Sequence, residues 1–533
     1  MHKAGIKLND EQMRRFICDG ILVIDSDISA NIHQKIFEKI KWNNTHEFNM
    51  GNNVLPRVPE LQKVLDSPLI HGALQSVLGD DYILHPHRFM HASEPVDEEM
   101  RGAKLADHEQ EPTMGKGSSG SSRWHQDSQS PLSRARYHVP RLAMILYFPQ
   151  DTPIERGPTR VIPGTHLQAG LLESNYPFAF VCGTVKAGTC FLIAFDIAHA
   201  AFPNRTDIGR YMFKFVFMRT RNPAVPSWNS GAVPWQAPET RLGQYEHTRA
   251  WNYIWNWIRG ERQNTTPSED SNIDQLISQL NGGDPEAGLN AVYELASLGT
   301  PAVDPLVSSL LNHAGWSSIW TGGQLERYRR DTKKGSGELQ PREWNEGAYA
   351  LQDEAYALGA LGAPSIDALV TLLQHEDPWI KINAAFALGE VGPCAGVAMP
   401  VLAEQLDDEH HQVVRAVLDA MACIGVNVSI ALPAIRGLLT ENNPDWQDVL
   451  KRGWTGESQV RFNAMCALLN SDIPVRDIED LLVNTFHDPN GYVPALAIEA
   501  LTRDGCPPGL RSALSFLMTH RWDDTLANEQ RLY

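Results

Sequence analysis

The pattern of apolar and polar positions changes character part-way along the chain. Up to about residue 262, apolar residues come in short β-rich runs separated by Gly/Pro turns, with a few helices between them. DGILVID (19–25) reads as a strand and DYILHPHRFMHA (81–92) as a second extended run. TCFLIAFD (189–196) reads as a buried strand, and YMFKFVFMR (211–219) as another. Ahead of them, Asn9-Asp10-Glu11-Gln12 has the form of a capping box, with Asn9 capping a helix and Gln12 reaching back. From about residue 273 the pattern is nearly all helical, with few strand signals.

In that second part a unit recurs. It appears as AVYELASLGTPAVDPLVSSLL (291–311), AYALGALGAPSIDALVTLL (355–373), AAFALGEVGPCAGVAMPVLAEQL (384–406) and VLDAMACIGVNVSIALPAIRGLL (417–439), with looser copies at 465–486 and 497–517. Each copy is an Ala/Leu helix, a break, and a second amphipathic helix. Gly362, Gly392 and Gly425, spaced 30 and 33 residues apart, are expected to supply left-handed caps. The pattern resembles HEAT-type α-solenoid repeats over about 280–520. One polar, basic, Trp-bearing insertion, 312–345, interrupts it, and reads equally as a binding face or as a loop. The expected division is 1–262, a linker at 263–280, and a solenoid at 281–533.

Length agrees with more than one domain, since 533 residues exceed what one hydrophobic core organises. The formal charge, 46 − 64 = −18, argues against nucleic acid or an anionic membrane as partner. Seven cysteines scattered without C-x-x-C spacing fit neither a disulfide framework nor a zinc knuckle, so a reducing cytoplasm is expected. The N-terminal MHKAGIKLNDEQ does not read as a signal peptide, and the runs RLAMILYFP and FLIAFDIAHAAF are too short to span a bilayer. Without a G-x-S-x-G elbow, Walker loop or G-x-G-x-x-G, hydrolase, nucleotidase and nicotinamide-enzyme readings have no support.

The chemistry centres on SSRWHQDSQSP (121–131). On a strand, His125 and Asp127 project to one face, and an imidazole with a carboxylate suits a first-row metal. The motif alone is weak: His375-Glu376-Asp377, in QHEDPW, repeats it where a cap and turn between helices is the better reading. Context separates them. His199 follows the strand TCFLIAFD, and Arg210 opens the next strand eleven residues later. Two His and one carboxylate form the facial triad of Fe(II) sites, and Arg210 offers a planar fork for a carboxylate.

HQD, then GPTRVIPGTH (157–166), then H-x10-R resembles the phytanoyl-CoA dioxygenase family of Fe(II)/2-oxoglutarate oxygenases, over roughly residues 8–220. The resemblance implies a multidomain protein: a double-stranded β-helix (jelly-roll, cupin-like) oxygenase domain followed by the all-α HEAT-like solenoid. It implies that His125, Asp127 and His199 bind Fe(II), that Arg210 pairs with the far carboxylate of 2-oxoglutarate, and that Gln126 touches this cosubstrate. The reaction implied consumes O2 and 2-oxoglutarate, releases succinate and CO2, and hydroxylates or otherwise oxidises a small organic molecule. Asp127 stands where halogenating relatives carry a small residue, which argues against halogenation. Three positions depart from the family pattern. Ala201 stands where a small hydroxyl residue is common, with Thr206 as a nearby substitute for a cosubstrate contact. Arg156 stands where Asn is common. HRFMHASEP (87–95) lacks a lysine that often helps hold the cosubstrate.

Further candidates are His85, His87, Phe89 and His91, alternating along one strand face as a substrate-pocket wall, and the Gly/Ser-rich 102–122, as a lid or a passive loop. Trp124, Arg160 and the helix face Trp251, Trp255, Trp257 read as packing. The partners expected are a small-molecule substrate, free or presented by a carrier or protein, and a protein bound through the solenoid. The alternative is a catalytically inactive oxygenase-like domain in a HEAT-repeat interaction scaffold.

Overall fold

The computed structural model describes residues 4–46, 50–95, 124–127, 136–169, 178–261, 267–268, 271–321, 324–329, 348–349, 351–448 and 454–503, with 510 and 513. The segment 102–122 and the rest of 312–345 lie outside these.

In the N-terminal part, β1 (Ile21–Asp25), β2 (Ile83–Ser93), β3 (Leu142–Tyr147), β6 (Thr189–Ala194) and β8 (Arg210–Met218) form one antiparallel sheet in the order β1-β6-β3-β8-β2. A second sheet, β5-β4-β7, joins β4 (Thr159–Ile162), β5 (Phe180–Val181) and β7 (Ala198–Ala201). The register of β2 on β8 shifts between Leu84 and Arg88. Pro86 sits in that interval and has no N–H for the ladder, which accounts for the irregularity. Around the sheets lie α1 (Asp10–Asp19), α2 (Ala30–His46), two short helices α3 (Val54–Arg57) and α4 (Leu61–Leu65), α5 (Pro68–Leu78) and α6 (Thr248–Ile258). The capping box forms as read: Asn9 Oδ1 accepts from Gln12 N at 2.9 Å and Gln12 Oε1 from Asn9 N at 3.0 Å.

The expected linker at 263–280 contains a helix, α7 (Ile273–Leu280), capped by Asn272 and packed on the next helix. Its Ile273, Leu276, Ile277 and Leu280 recur at helical spacing, a stripe too apolar to remain a tether. Five helix pairs then follow: α8 (Pro285–Ser297) and α9 (Val303–Leu311), α10 (Asp353–Leu361) and α11 (Ile366–Leu372), α12 (Pro378–Val391) and α13 (Met399–Glu404), α14 (His411–Ile424) and α15 (Leu432–Thr440), α16 (Gly456–Asn470) and α17 (Val475–Asn484). α18 (Tyr492–Thr502) opens a sixth. The even-numbered helices stack in succession, α8 on α10 through to α18, as solenoid repeats do. The stretch Pro378–Asp407 has the length and apolarity of a membrane span, but α12 and α13 are separated within it by a 3₁₀ segment and it is mostly buried.

Two expectations for this part change. Gly425 takes the left-handed cap, at φ 71 and ψ 0. Gly362 and Gly392 share the positive φ of 75 but have ψ of −138 and −146, and lead straight into 3₁₀ turns. The insertion also carries strands, β9 (Trp316–Thr321), β10 (Gln324–Arg329) and β11 (Ala348–Tyr349), in the order β10-β9-β11.

Candidate metal and cosubstrate site

The backbone brings the two histidines together. His125 and His199 form an antiparallel bridge, with N–H to O distances of 3.1 and 3.0 Å, next to the pairing of His199 with Val161 of β4. Directly opposed residues present their side chains on one face, and the two rings lie 4.2 Å apart between centroids. The extended conformation is shorter than expected, a single bridge at His125 that does not reach Asp127. Asp127 nevertheless joins the histidines. Its Oδ1 is 4.0 Å from His125 Nε2, its Oδ2 is 3.8 Å from His199 Nε2, and the three ligand atoms lie within 4.8 Å of one another. His199 Nδ1 bonds to Ile197 O at 3.0 Å, which fixes the tautomer and leaves Nε2 with the lone pair a metal needs. Burial, reinforced by His125, pushes His199 down to about 3, so the ring is neutral at pH 7.

Arg210 begins β8 and is buried. Its Nε donates to Gly157 O at 3.0 Å, while Nη1 has no partner among the described residues. The glycine is required here: at φ 76, a Cβ on residue 157 would meet Phe202 O at 2.4 Å. Burial lowers Arg210 to about 10, so it remains cationic at neutral pH. A buried guanidinium with an orphaned nitrogen is the environment a ligand carboxylate completes. The residues therefore fit both groups: two imidazoles and a carboxylate for iron, and a cation for the distal end of 2-oxoglutarate.

The family model described as Phytanoyl-CoA dioxygenase (PhyH) matches residues 105–212, a span containing all four of these residues, and the HEAT repeats model matches residues 354–422. Residues 105–212 thus match a phytanoyl-CoA dioxygenase domain, and residues 354–422 match HEAT repeats. Solved structures similar to it include the non-heme monooxygenase ThoJ in a nickel complex, at 20% identity over 46% of this chain and 94% of that one, with a TM-score of 0.28. HygX from Streptomyces hygroscopicus, with nickel and 2-oxoglutarate bound, is 16% identical over 40% of this chain and 88% of its own, with a TM-score of 0.30. CytC3 with Fe(II) and alpha-ketoglutarate is 15% identical over 41% and 79%, with a TM-score of 0.28. No curated protein matches the chain in sequence.

The dioxygenase domain does not gather the remaining sequence candidates at the triad. Gln126, between the two ligands, points the other way and is fully buried. Its Nε2 donates to the carbonyls of Thr165, Gln168 and Asp196 at 2.9, 3.2 and 2.8 Å, and its Oε1 accepts from Arg136 Nη2 at 3.1 Å. The amide is thus taken up by the protein, and a cosubstrate contact from it is not what this arrangement offers. Thr206 also turns elsewhere: its hydroxyl donates to Asn204 Oδ1 at 2.7 Å and Ile208 O at 3.0 Å, closing the turn before β8. Trp124 and Arg160 pack as read, the guanidinium lying between the Trp124 and Phe202 rings at 4.8 and 4.4 Å. Trp251, Trp255 and Trp257 are all buried on α6, which packs against both α1 and α8.

β2 divides its four candidates. Phe89 pairs with Lys214 and His91 with Met212, which puts these residues on one face of β2 and β8. His91 is pushed well down by burial, then by Lys214 and Arg210, so it sits among the charges of the site. Beyond the irregularity at Pro86, His85 and His87 turn to the solenoid: the His85 ring meets Phe462 and Tyr492 edge-on at 5.6 and 6.0 Å, and His87 Nδ1 lies 3.1 Å from Tyr492 Oη.

The residue that sequence reasoning missed is Lys214. It is buried, and its Nζ donates to Asp127 Oδ2 at 3.1 Å. Burial opposes the Asp127 charge, but Lys214 foremost, with His199 and His125, holds the carboxyl well below the usual range. The signal was present as a lone charge within the apolar run YMFKFVFM.

Proposed function

We propose that this protein is an Fe(II)/2-oxoglutarate-dependent dioxygenase that hydroxylates or otherwise oxidises a small organic molecule, releasing succinate and CO2. The observation that carries the reading is the convergence of His125, Asp127 and His199 in a chain whose Arg210 keeps a buried nitrogen without a partner. The five-stranded and three-stranded sheets suit a double-stranded β-helix. The catalytic domain is taken to run to about residue 262, with α7 already part of the solenoid.

His125 Nε2, His199 Nε2 and one Asp127 oxygen would hold the iron, leaving open positions for 2-oxoglutarate and O2. When bound, iron and 2-oxoglutarate supply the oxidising chemistry that breaks a substrate C–H bond. Arg210 orients the cosubstrate through its distal carboxylate. Lys214 takes the second Asp127 oxygen, so the carboxylate has one oxygen to give a metal. Phe89, His91 and Met212, on the face shared with Lys214, form a wall against which the substrate is held. Lys214 is also the observation that favours the alternative, an inactive oxygenase-like domain, because an ion-paired Asp127 competes with metal. Anaerobic titration with Fe(II) and 2-oxoglutarate separates the two. A weak visible charge-transfer band that is lost in Asp127→Ala supports the enzyme; well-folded protein without a band leaves the scaffold.

A further inference from the structure

The stacked helices of the solenoid lie against the dioxygenase domain repeat by repeat. A short strap, residues 136–141, touches four of them in turn. His138 Nδ1 bonds to Tyr293 of α8 at 2.7 Å, and Tyr356 of α10 donates to Arg136 O at 2.7 Å. Arg141 donates through Nε and Nη2 to Glu390 of α12, each at 3.0 Å, and Tyr137 donates to Asp419 of α14. Further along, Arg221 reaches Asn470 O at the end of α16, and Tyr492 of α18 reaches β2. The even-numbered helices thus turn residues of each repeat toward the N-terminal domain.

Two of these contacts continue to the metal site. The first starts at Tyr492. Asn52 Nδ2 donates to its oxygen at 3.3 Å, and His87 Nδ1 is hydrogen-bonded to the same hydroxyl at 3.1 Å. His87 is buried on β2, two residues before Phe89, which pairs with Lys214, the donor to Asp127. The second thread starts at Tyr356, which holds the Arg136 backbone; Arg136 holds Gln126; and Gln126 ties the segment carrying His125 and Asp127 to the 165–168 turn and to Asp196.

We propose that the HEAT array is a positioning element of the metal centre: the Tyr492 hydroxyl holds His87 of β2, two residues before the Phe89 that pairs with Lys214, and the Tyr356 hydroxyl sets the Arg136–Gln126 link behind His125 and Asp127. This rests on the metal-site reading above. It gives the solenoid a role in cis, in which the last repeats shape the site that the first half of the chain supplies. Tyr356 and Tyr492 touch neither metal nor substrate, so they are positioning residues. Their removal moves the ligands' supports while leaving the ligands in place.

The test uses the full chain and Co(II) as an anaerobic probe, read as affinity and as the visible ligand-field spectrum. Tyr356→Phe and Tyr492→Phe delete one hydroxyl each. Each is expected to weaken Co(II) binding about tenfold, the lower end for outer-shell support of a metal site, and to change the spectrum. Asn222→Ala is the control, since it deletes a 2.6 Å bond to Cys423 O across the same interface and lies on neither β2 nor residues 124–127. It is expected to lower thermal stability and leave affinity and spectrum unchanged. Two folded tyrosine variants with wild-type affinity and spectrum overturn the proposal. So does an Asn222→Ala variant that weakens metal as much as they do, because the effect is then general loosening. A wild-type chain that binds no Co(II) overturns the site reading itself, which the same titration reveals before any variant is compared.

Discussion

The chain contains His-x-Asp twice, and the two copies do different work. At 125–127 the first histidine is paired through its backbone with His199, and Asp127 meets both rings and a buried lysine. At 375–377 the histidine folds back, its Nδ1 accepting from Asp377 N at 2.9 Å. There Asp377 caps α12, accepting from Trp379 N at 2.8 Å and Ile380 N at 3.3 Å, and takes Gly315 N as well. The same residue types join a group that could hold a metal when a second strand brings a third donor, and form a turn when a helix begins at the next residue. Spacing alone therefore has little meaning for this motif; the partner strand decides.

The comparison breaks most sharply at the carboxylates. Asp127→Ala is expected to abolish metal binding and with it the charge-transfer band, while leaving Lys214 as a buried charge without its partner. The band and the Co(II) isotherm measure the first effect, and denaturant unfolding the second. A folded Asp127→Ala protein with undiminished metal affinity would place the metal elsewhere.

Gln126 sharpens the comparison from within the motif, because its counterpart Glu376 lies in an open turn. Gln126→Leu keeps the volume but removes one bond from Arg136 and from each of three carbonyls, of which Thr165 O keeps its bond from Gln168 N, and each group left unsatisfied costs about 1–3 kcal/mol. A loss of at least about 3 kcal/mol in denaturant unfolding is expected. If Gln126 instead served the cosubstrate, the variant would keep its stability and lose 2-oxoglutarate affinity. Arg210→Ala comes next. The 375–377 copy has no such cation in its turn, whereas here an orphaned guanidinium awaits a carboxylate. A charge-assisted bond of about 1.5–3 kcal/mol corresponds to roughly 10–100-fold weaker 2-oxoglutarate binding, with metal affinity retained. Isothermal titration of 2-oxoglutarate into the Co(II) protein measures it.

How much of this was legible follows from the range over which each feature is determined. The capping box, the strands DGILVID and YMFKFVFMR and five helix pairs were readable because three to twelve neighbouring residues set them. The grouping of His125, Asp127 and His199 was expected from the resemblance and from the strands TCFLIAFD and YMFKFVFMR that bracket His199 and Arg210, although residues 125–127 form a single bridge and no strand. Lys214 was visible only as an oddity, since its partner lies 87 residues away on a segment whose position no local pattern fixes. Gln126 and Thr206 were assigned by resemblance, and both were claimed by backbone acceptors that only the folded chain supplies. His85 and His87 were read as facing a pocket, because alternation was carried through Pro86; the broken ladder there, and a helix more than four hundred residues on, turned them to Tyr492. The α7 helix was passed over for a subtler reason. A stripe of four apolar residues between polar ones is short enough to resemble a tether until a neighbouring helix is available to bury it.

The smallest expected effect is at Asp377, and it completes the comparison. Asp377→Ala removes a side-chain acceptor from the first turn of α12, a change that typically costs about 1 kcal/mol. It also leaves Gly315 N, at the start of the insertion, without the 2.6 Å bond it makes here. Thermal unfolding should fall accordingly, and Asp377→Asn, which keeps an oxygen to accept from the helix, should recover most of the loss. Metal affinity and the charge-transfer band should match the wild type in both variants. The prediction is informative because α12 also carries Glu390, which grips Arg141 of the catalytic domain. A helix that merely frays at its first turn leaves that grip thirteen residues away intact. A measurable drop in metal affinity from Asp377→Ala would instead mean that the first turn of α12 and the catalytic domain are coupled through the whole helix, and that the second His-x-Asp, though no ligand, is still heard at the first.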